Sequence, residues 1–187
     1  MATDFSQDAV NNAIYNGIRR GIEVTIDNEC LGSAAILILS AIDAMAYLAM
    51  PEQQQDVAKE DFILWAEKYI RFPCREQLTG PDLYGARCAM LHAYGSQSKM
   101  SREGKCRVIL WMSHAVPAIM THPSTPGYVM VSVPALRDSL FAGIDRFLID
   151  VFREPNSKIA ELVNQRLNKL VHRMATDEVL RATPEGT

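Results

Sequence analysis

A mainly helical fold, with a small two-stranded β element set in before the last two helices, is the class this sequence predicts. Three observations predict it. Apolar residues recur at helical spacing over six separate stretches, Pro and Gly punctuate the ends of those stretches, and only two short runs, 107–112 and 128–133, favour strand. At 187 residues, 48% hydrophobic and 22% charged, the chain is long enough for one domain with a substantial core and has none of the bias of a disordered protein. We expect that domain over residues 1–176 and a flexible tail over 177–187.

The elements follow in order. Val10, Ile14, Ile18 and Ile22 recur every four residues with Asn11, Asn12, Arg19 and Arg20 between them, which predicts an amphipathic helix over about 7–27. After Gly32 and a cap at Ser33, residues 34–50 are apolar nearly all round, a helix that must be covered on most sides, and Pro51 ends it. Phe62, Trp65, Ala66 and Tyr69 mark a third helix that opens near Glu60 and Asp61, where the dipole favours acids, and finishes before Pro73. Thr79-Gly80-Pro81-Asp82 reads as a helix start, and Gly95 with the following serines as its end.

The β-favouring runs come next, separated by a segment that holds Pro117, Pro123, Pro126 and Gly127. Pro134 opens a helix with Leu136, Leu140, Phe141, Ile144, Phe147, Leu148 and Val151 on one face, and Pro155 breaks it. Asn156-Ser157 caps a last helix that bears Ile159, Leu162, Val163, Leu170, Val171 and Met174.

Charge and cysteine usage narrow the function classes. With a net charge of −3 and a pI of about 5.8, the chain lacks the global basic footprint of a non-specific duplex binder. A local cluster of Lys99, Arg102, Lys105 and Arg107 could meet a phosphate chain, although such a run is more often a solvated loop. The first residues carry two acids and no apolar stretch, which predicts no secretory or transit signal and a cytoplasmic protein. Cys30, Cys74, Cys88 and Cys106 show no CxxC or Cys/His ligand spacing, so free thiols are expected, with no metal site, no disulfide framework and no cofactor. The apolar stretch 34–50 falls short of a membrane span, and Asp43 in its middle would cost about 2.5–3.5 kcal/mol on insertion scales, so a core helix is expected and no membrane role.

The segment most informative about chemistry is Asp82-Leu-Tyr-Gly-Ala-Arg-Cys-Ala-Met-Leu-His-Ala-Tyr-Gly95, which places Arg87 and His92 on one well-bounded helix. As a bare pattern, Arg and His separated by four to six residues is cheap: Arg107/His114 and Arg166/His172 match it too. Context separates the three. The tyrosine-flanked, Pro-started, Gly-ended helix resembles the motif helix of the HEPN family, small helical proteins whose nuclease members carry Arg-x(4–6)-His. The resemblance is close over this helix and looser over the first three, where the apolar stretch with Asp43 resembles the family's central helix with an embedded acid; it does not reach beyond Cys106.

What the resemblance implies is a helical bundle that forms a homodimer, so that the Arg/His helices of two copies line one cleft, which in active members cuts RNA without a metal. Arg87 and His92 are then the catalytic pair, with Tyr84, Cys88, Tyr94, Ser96 and Lys99 as substrate contacts and Asp43 as a structural partner. The residue types suit that role, because imidazole moves protons near neutral pH and a guanidinium holds a phosphate bidentately. In nuclease members the residue after the Arg is typically Asn, His or Asp, and here it is Cys88, so fold and dimer follow from the resemblance more directly than cleavage.

Five helical steps of about 100° set Arg87 and His92 about 140° apart around the helix, so one helix alone makes an awkward site and two related by a two-fold make a shared groove. The blander readings are that Arg87 pairs with Asp43 or Asp82 to hold two helices together, that His92 bonds a carbonyl at a helix end, and that Tyr84 and Tyr94 pack with their hydroxyls wet. A different class of function is a non-catalytic homodimeric module that binds a protein or small ligand through this surface or through an exposed Trp111 on the β element.

Overall fold

Helix α2, Leu31–Ala49, is the element around which the rest is arranged in the computed structural model, which describes residues 8–170. Its apolar circumference is what the sequence demanded be covered. Ile38, Leu39, Ile42, Met45 and Leu48 are fully buried, each contributing about 1.5–3 kcal/mol of transfer free energy. The neighbours that bury them are α1 (Arg20–Asp27), α3 (Lys59–Tyr69), α4 (Gly80–Ala93), α6 (Val133–Phe152) and α7 (Lys158–Leu167). By length and composition α2 could cross a bilayer; here it is the central helix of the bundle. It starts at Leu31 with Cys30 as its N-cap and no side-chain cap, so the cap expected at Ser33 lies inside the first turn.

The first predicted helix is two windings in succession, a π-helical segment Val10–Arg19 that continues as α1. The apolar interval of four in Val10, Ile14, Ile18 and Ile22 exceeds the 3.6 residues of an α-turn, and the wider π winding accommodates it. Ala13, Ile14 and Ile22 are buried, and Arg19 crosses to α6 to pair with Asp145 and donate to the Phe141 carbonyl at 2.8 Å.

The β element has three strands, not two. β1 (Val108–Met112) and β3 (Tyr128–Ser132) are the predicted runs, and β2 (Ile119–Thr121) arises in the Pro-rich segment between them. Three residues hemmed by Pro117 and Pro123 are too short to read as a strand, yet their backbone finds an edge: β2 pairs antiparallel with β3, Ile119 opposite Val131. β3 is central, and β1 joins it in parallel with Val108 opposite Tyr128 and Met112 opposite Ser132. Trp111, expected to be exposed, is partly buried against the core. β3 runs directly into α6, whose start is capped by Ser132 accepting from the Ala135 amide at 3.1 Å.

Further along, α7 begins as expected, with Ser157 accepting from the Ala160 amide. Ile159 is 64% exposed and Leu162 half-buried, so the core face of α7 is Ala160, Val163 and Leu167 with the aliphatic stem of the buried Arg166. Leu170 follows the end of the helix. Val171, Met174, His172 and the tail 177–187 lie outside the described residues.

Candidate functional site

The Arg/His helix is α4, and its start is built as its sequence implies. Thr79 accepts from the Asp82 amide at 3.2 Å while the Asp82 carboxylate accepts from the Thr79 amide at 2.9 Å, a reciprocal capping box with Pro81 in the first turn. Its end falls where expected, at Ala93 just ahead of Gly95. Tyr94, not Gly95, takes the left-handed conformation at φ 49°, and its ring lies over the backbone of Gly32 at the start of α2, where a methyl group would overlap the hydroxyl.

Asp43 and Arg87 meet across the α2–α4 contact. Arg87 Nε donates to Asp43 Oδ2 at 2.9 Å, with both side chains about one quarter exposed. Of the two carboxylates that could have claimed Arg87, Asp82 is taken by Arg107 instead, through Nε at 3.1 Å, Nη2 at 2.7 Å and the Arg107 amide at 2.8 Å. Asp43 uses one edge of the Arg87 guanidinium only. Nη1 and Nη2 make no hydrogen bond among the described residues.

Around that pair the fold gathers a small polar cluster. The Tyr84 ring lies edge-on to Phe62 at 5.4 Å, with the Arg87 guanidinium 6.0 Å from its centroid and the Lys59 ammonium 5.8 Å from it. Cys88, one helical turn after Tyr84 on α4, is near enough to act on its phenol. Burial and then Cys88 push the Tyr84 phenol up, so it stays protonated and can donate. Burial works against the Arg87 charge, but the hydrogen bond and charge of Asp43 outweigh it and hold the guanidinium above its ordinary value. Cys106 sits against α4 at Gly85, the residue whose missing side chain makes room for its sulfur, and burial followed by the Asp82 charge pushes its thiol up.

The residues singled out in the sequence therefore divide. Asp43, Tyr84, Arg87 and Cys88 form one cluster. His92 is exposed in the last turn of α4, with Tyr94 and Ser96 exposed beyond it, and Lys99 is turned to Glu103 at 3.8 Å in the short helix α5 (Lys99–Arg102). The basic run expected to be a loop is thus partly helical, and most of its charge is committed: Lys105 pairs with Glu103 at 2.6 Å, and Arg107 with Glu76 at 2.6 Å as well as with Asp82. The arginines of the two competing Arg/His matches are used otherwise, Arg107 clamping Asp82 and Arg166 buried against the end of α2. Lys59 is the participant that sequence reasoning missed. It sits on a different helix, and no local pattern announces a neighbour that only α3–α4 packing supplies.

Compared with family models, curated proteins and solved structures, the chain matches none. Two concave surfaces lie away from the Arg87 cluster. One, of about 690 Å³, lies between the end of α2, α3, α6 and α7, with the exposed Leu64 and Ile159 beside charged residues such as Lys68 and Asp150 in its lining. The other, of about 520 Å³, lies between the start of α4, α5 and the first residues of β1 and β3.

Chemically, the cluster offers a charged fork held on one side by a carboxylate, next to a protonated phenol and a thiol. That arrangement suits a tetrahedral anion better than an apolar ligand, because a guanidinium edge aimed by a second-side hydrogen bond donates two parallel N–H groups. His92 is on the same helix but round its circumference and outside the cluster.

Proposed function

We propose that the chain is a HEPN-like protein that acts on RNA as a homodimer, with Arg87 holding a phosphate and His92 moving a proton. The observation that carries this reading is the one-edged pairing of Arg87: Asp43 takes Nε and leaves both Nη groups free at a partly exposed position. A purely structural arginine is expected to spend its fork as Arg107 does, on several acceptors at once.

The step this supports is transesterification. A ribose 2′-oxygen forms a bond to the adjacent phosphorus, the P–O5′ bond breaks, and the products are a 2′,3′-cyclic phosphate and a 5′-hydroxyl. One imidazole takes the 2′ proton and a second gives one to the leaving 5′ oxygen, while Arg87 meets the charge that builds on the phosphoryl oxygens. Each chain supplies one such histidine, so a two-fold pairing of α4 helices supplies both.

A second reading, RNA binding without cleavage, is favoured by Cys88. It stands immediately after Arg87, a soft thiol where a polar group would otherwise help position the phosphate.

Purified protein incubated with single-stranded RNA in the presence of a chelator separates the two. Cleavage to cyclic-phosphate ends that falls by about 10²–10⁴-fold in both Arg87→Ala and His92→Ala, with circular dichroism unchanged, is the expected result. Binding that depends on Arg87 with no cleavage selects the second reading. Full cleavage by both variants ends the first.

A further inference from the structure

We propose that Lys59 is a second phosphate contact of the Arg87 site, so that the site grips adjoining phosphates of one RNA single strand; this rests on the RNA reading above. Lys59 opens α3 and is half-buried, with its ammonium 5.8 Å from the centroid of the Tyr84 ring. The Arg87 guanidinium lies 6.0 Å from the same centroid, which puts the two cations no more than about 12 Å apart.

The charge count around them is uneven. Asp43 is the one carboxylate bonded to the pair, and it is spent on Arg87 Nε. Lys68, Lys99, Lys105 and Lys158 each have a carboxylate partner, whereas Lys59 makes no ion pair or hydrogen bond among the described residues. Asp61, two residues on, is occupied by the Ala58 amide and Gln54. Two cations with one carboxylate between them leave a local excess of positive charge, and an anion placed between the Lys59 ammonium and the free Arg87 fork offsets it.

Tyr84 decides what kind of contact this is. Its ring is engaged by Arg87, Lys59 and the edge of Phe62, so it is not a free platform for base stacking. The cluster therefore reads backbone charge and not base identity, and recognition there is tolerant of sequence.

The test is fluorescence anisotropy of a labelled oligouridylate titrated with protein over a series of salt concentrations. Each phosphate contact on a single strand contributes about 0.7 to the slope of log Kobs against log salt. Lys59→Gln should flatten the slope by about 0.7, Lys59→Arg should restore it, and Lys169→Gln, an exposed lysine outside the cluster, should leave it unchanged. An unaltered slope in Lys59→Gln, with Arg87→Gln still flattening it, overturns the role of Lys59 alone. Absence of salt-dependent binding by the unmutated protein overturns the RNA reading and this inference together.

Discussion

Asp82 is 2% exposed and carries the most heavily hydrogen-bonded carboxylate near the Arg/His helix, which makes it the residue where charge and stability are most tightly tied. Burial by itself pushes its carboxyl up, but the Arg107 hydrogen bonds and the Thr79 and Arg107 amides outweigh that and hold it below the ordinary 3.8. A carboxyl depressed on folding contributes stability that is present above its unfolded value and lost as pH falls through the folded one. Urea unfolding of the unmutated protein should therefore show this contribution intact above about pH 4 and declining below it. Arg107→Ala leaves the carboxylate buried with only backbone donors, should cost about 3 kcal/mol at neutral pH, and should move the acid decline to higher pH. Identical acid profiles in the two proteins would count against the assignment. The sequence already favoured Asp43 as the partner of Arg87, because a carboxylate on a buried helix needs one; that Arg107, just before β1, takes Asp82 was not legible there.

At the scale of elements, local signals explain where helices start better than how they end. Pro81, Pro134 and Ser157 mark starts that the structure bears out, because such signals act within the first turn of the helix they open. Pro51 stops α2 as expected, but what satisfies the carbonyls at that end comes from a distant element. Arg166, on α7 and 4% exposed, donates to the carbonyls of Leu48 at 3.2 Å, Met50 and Pro51 at 2.8 Å, supplying donors that the terminated helix lacks. Replacing it by Met keeps the stem and removes the donors, so Arg166→Met should lower stability by about 3 kcal/mol in urea unfolding, with Arg166→Lys in between. A change within about 0.5 kcal/mol would mean those carbonyls find other donors. The third strand belongs here as well: Ile119–Thr121 has too few residues to show period-two patterning, and it becomes a strand only because β3 offers it an edge.

For the whole molecule, the separation of Arg87 from His92 by about 140° around α4 is the constraint that bears on function. One copy brings the arginine to α2 and leaves the histidine exposed at the far turn, so a site that uses both needs a second copy. Sedimentation equilibrium at assay concentration should therefore give a dimer, and a monomer there argues strongly against the proposed site. Mixed dimers of unmutated protein with His92→Ala, made by co-refolding at a series of ratios, retain one imidazole and should lose cleavage nearly as fully as the His92→Ala homodimer. Activity that falls only in proportion to the fraction of unmutated chain would place the whole site within a single chain.

Periodicity, proline and capping residues act over a few residues and need no distant partner, so the helical class, the central place of the apolar helix and the helix that carries Arg87 and His92 could be read along the chain. That Arg107 takes Asp82, that the Arg87 Nη fork stays free, that Lys59 joins the cluster and that the β element has a third strand could not. Each of these depends on groups far apart along the chain, and their pairing is set by how whole elements pack.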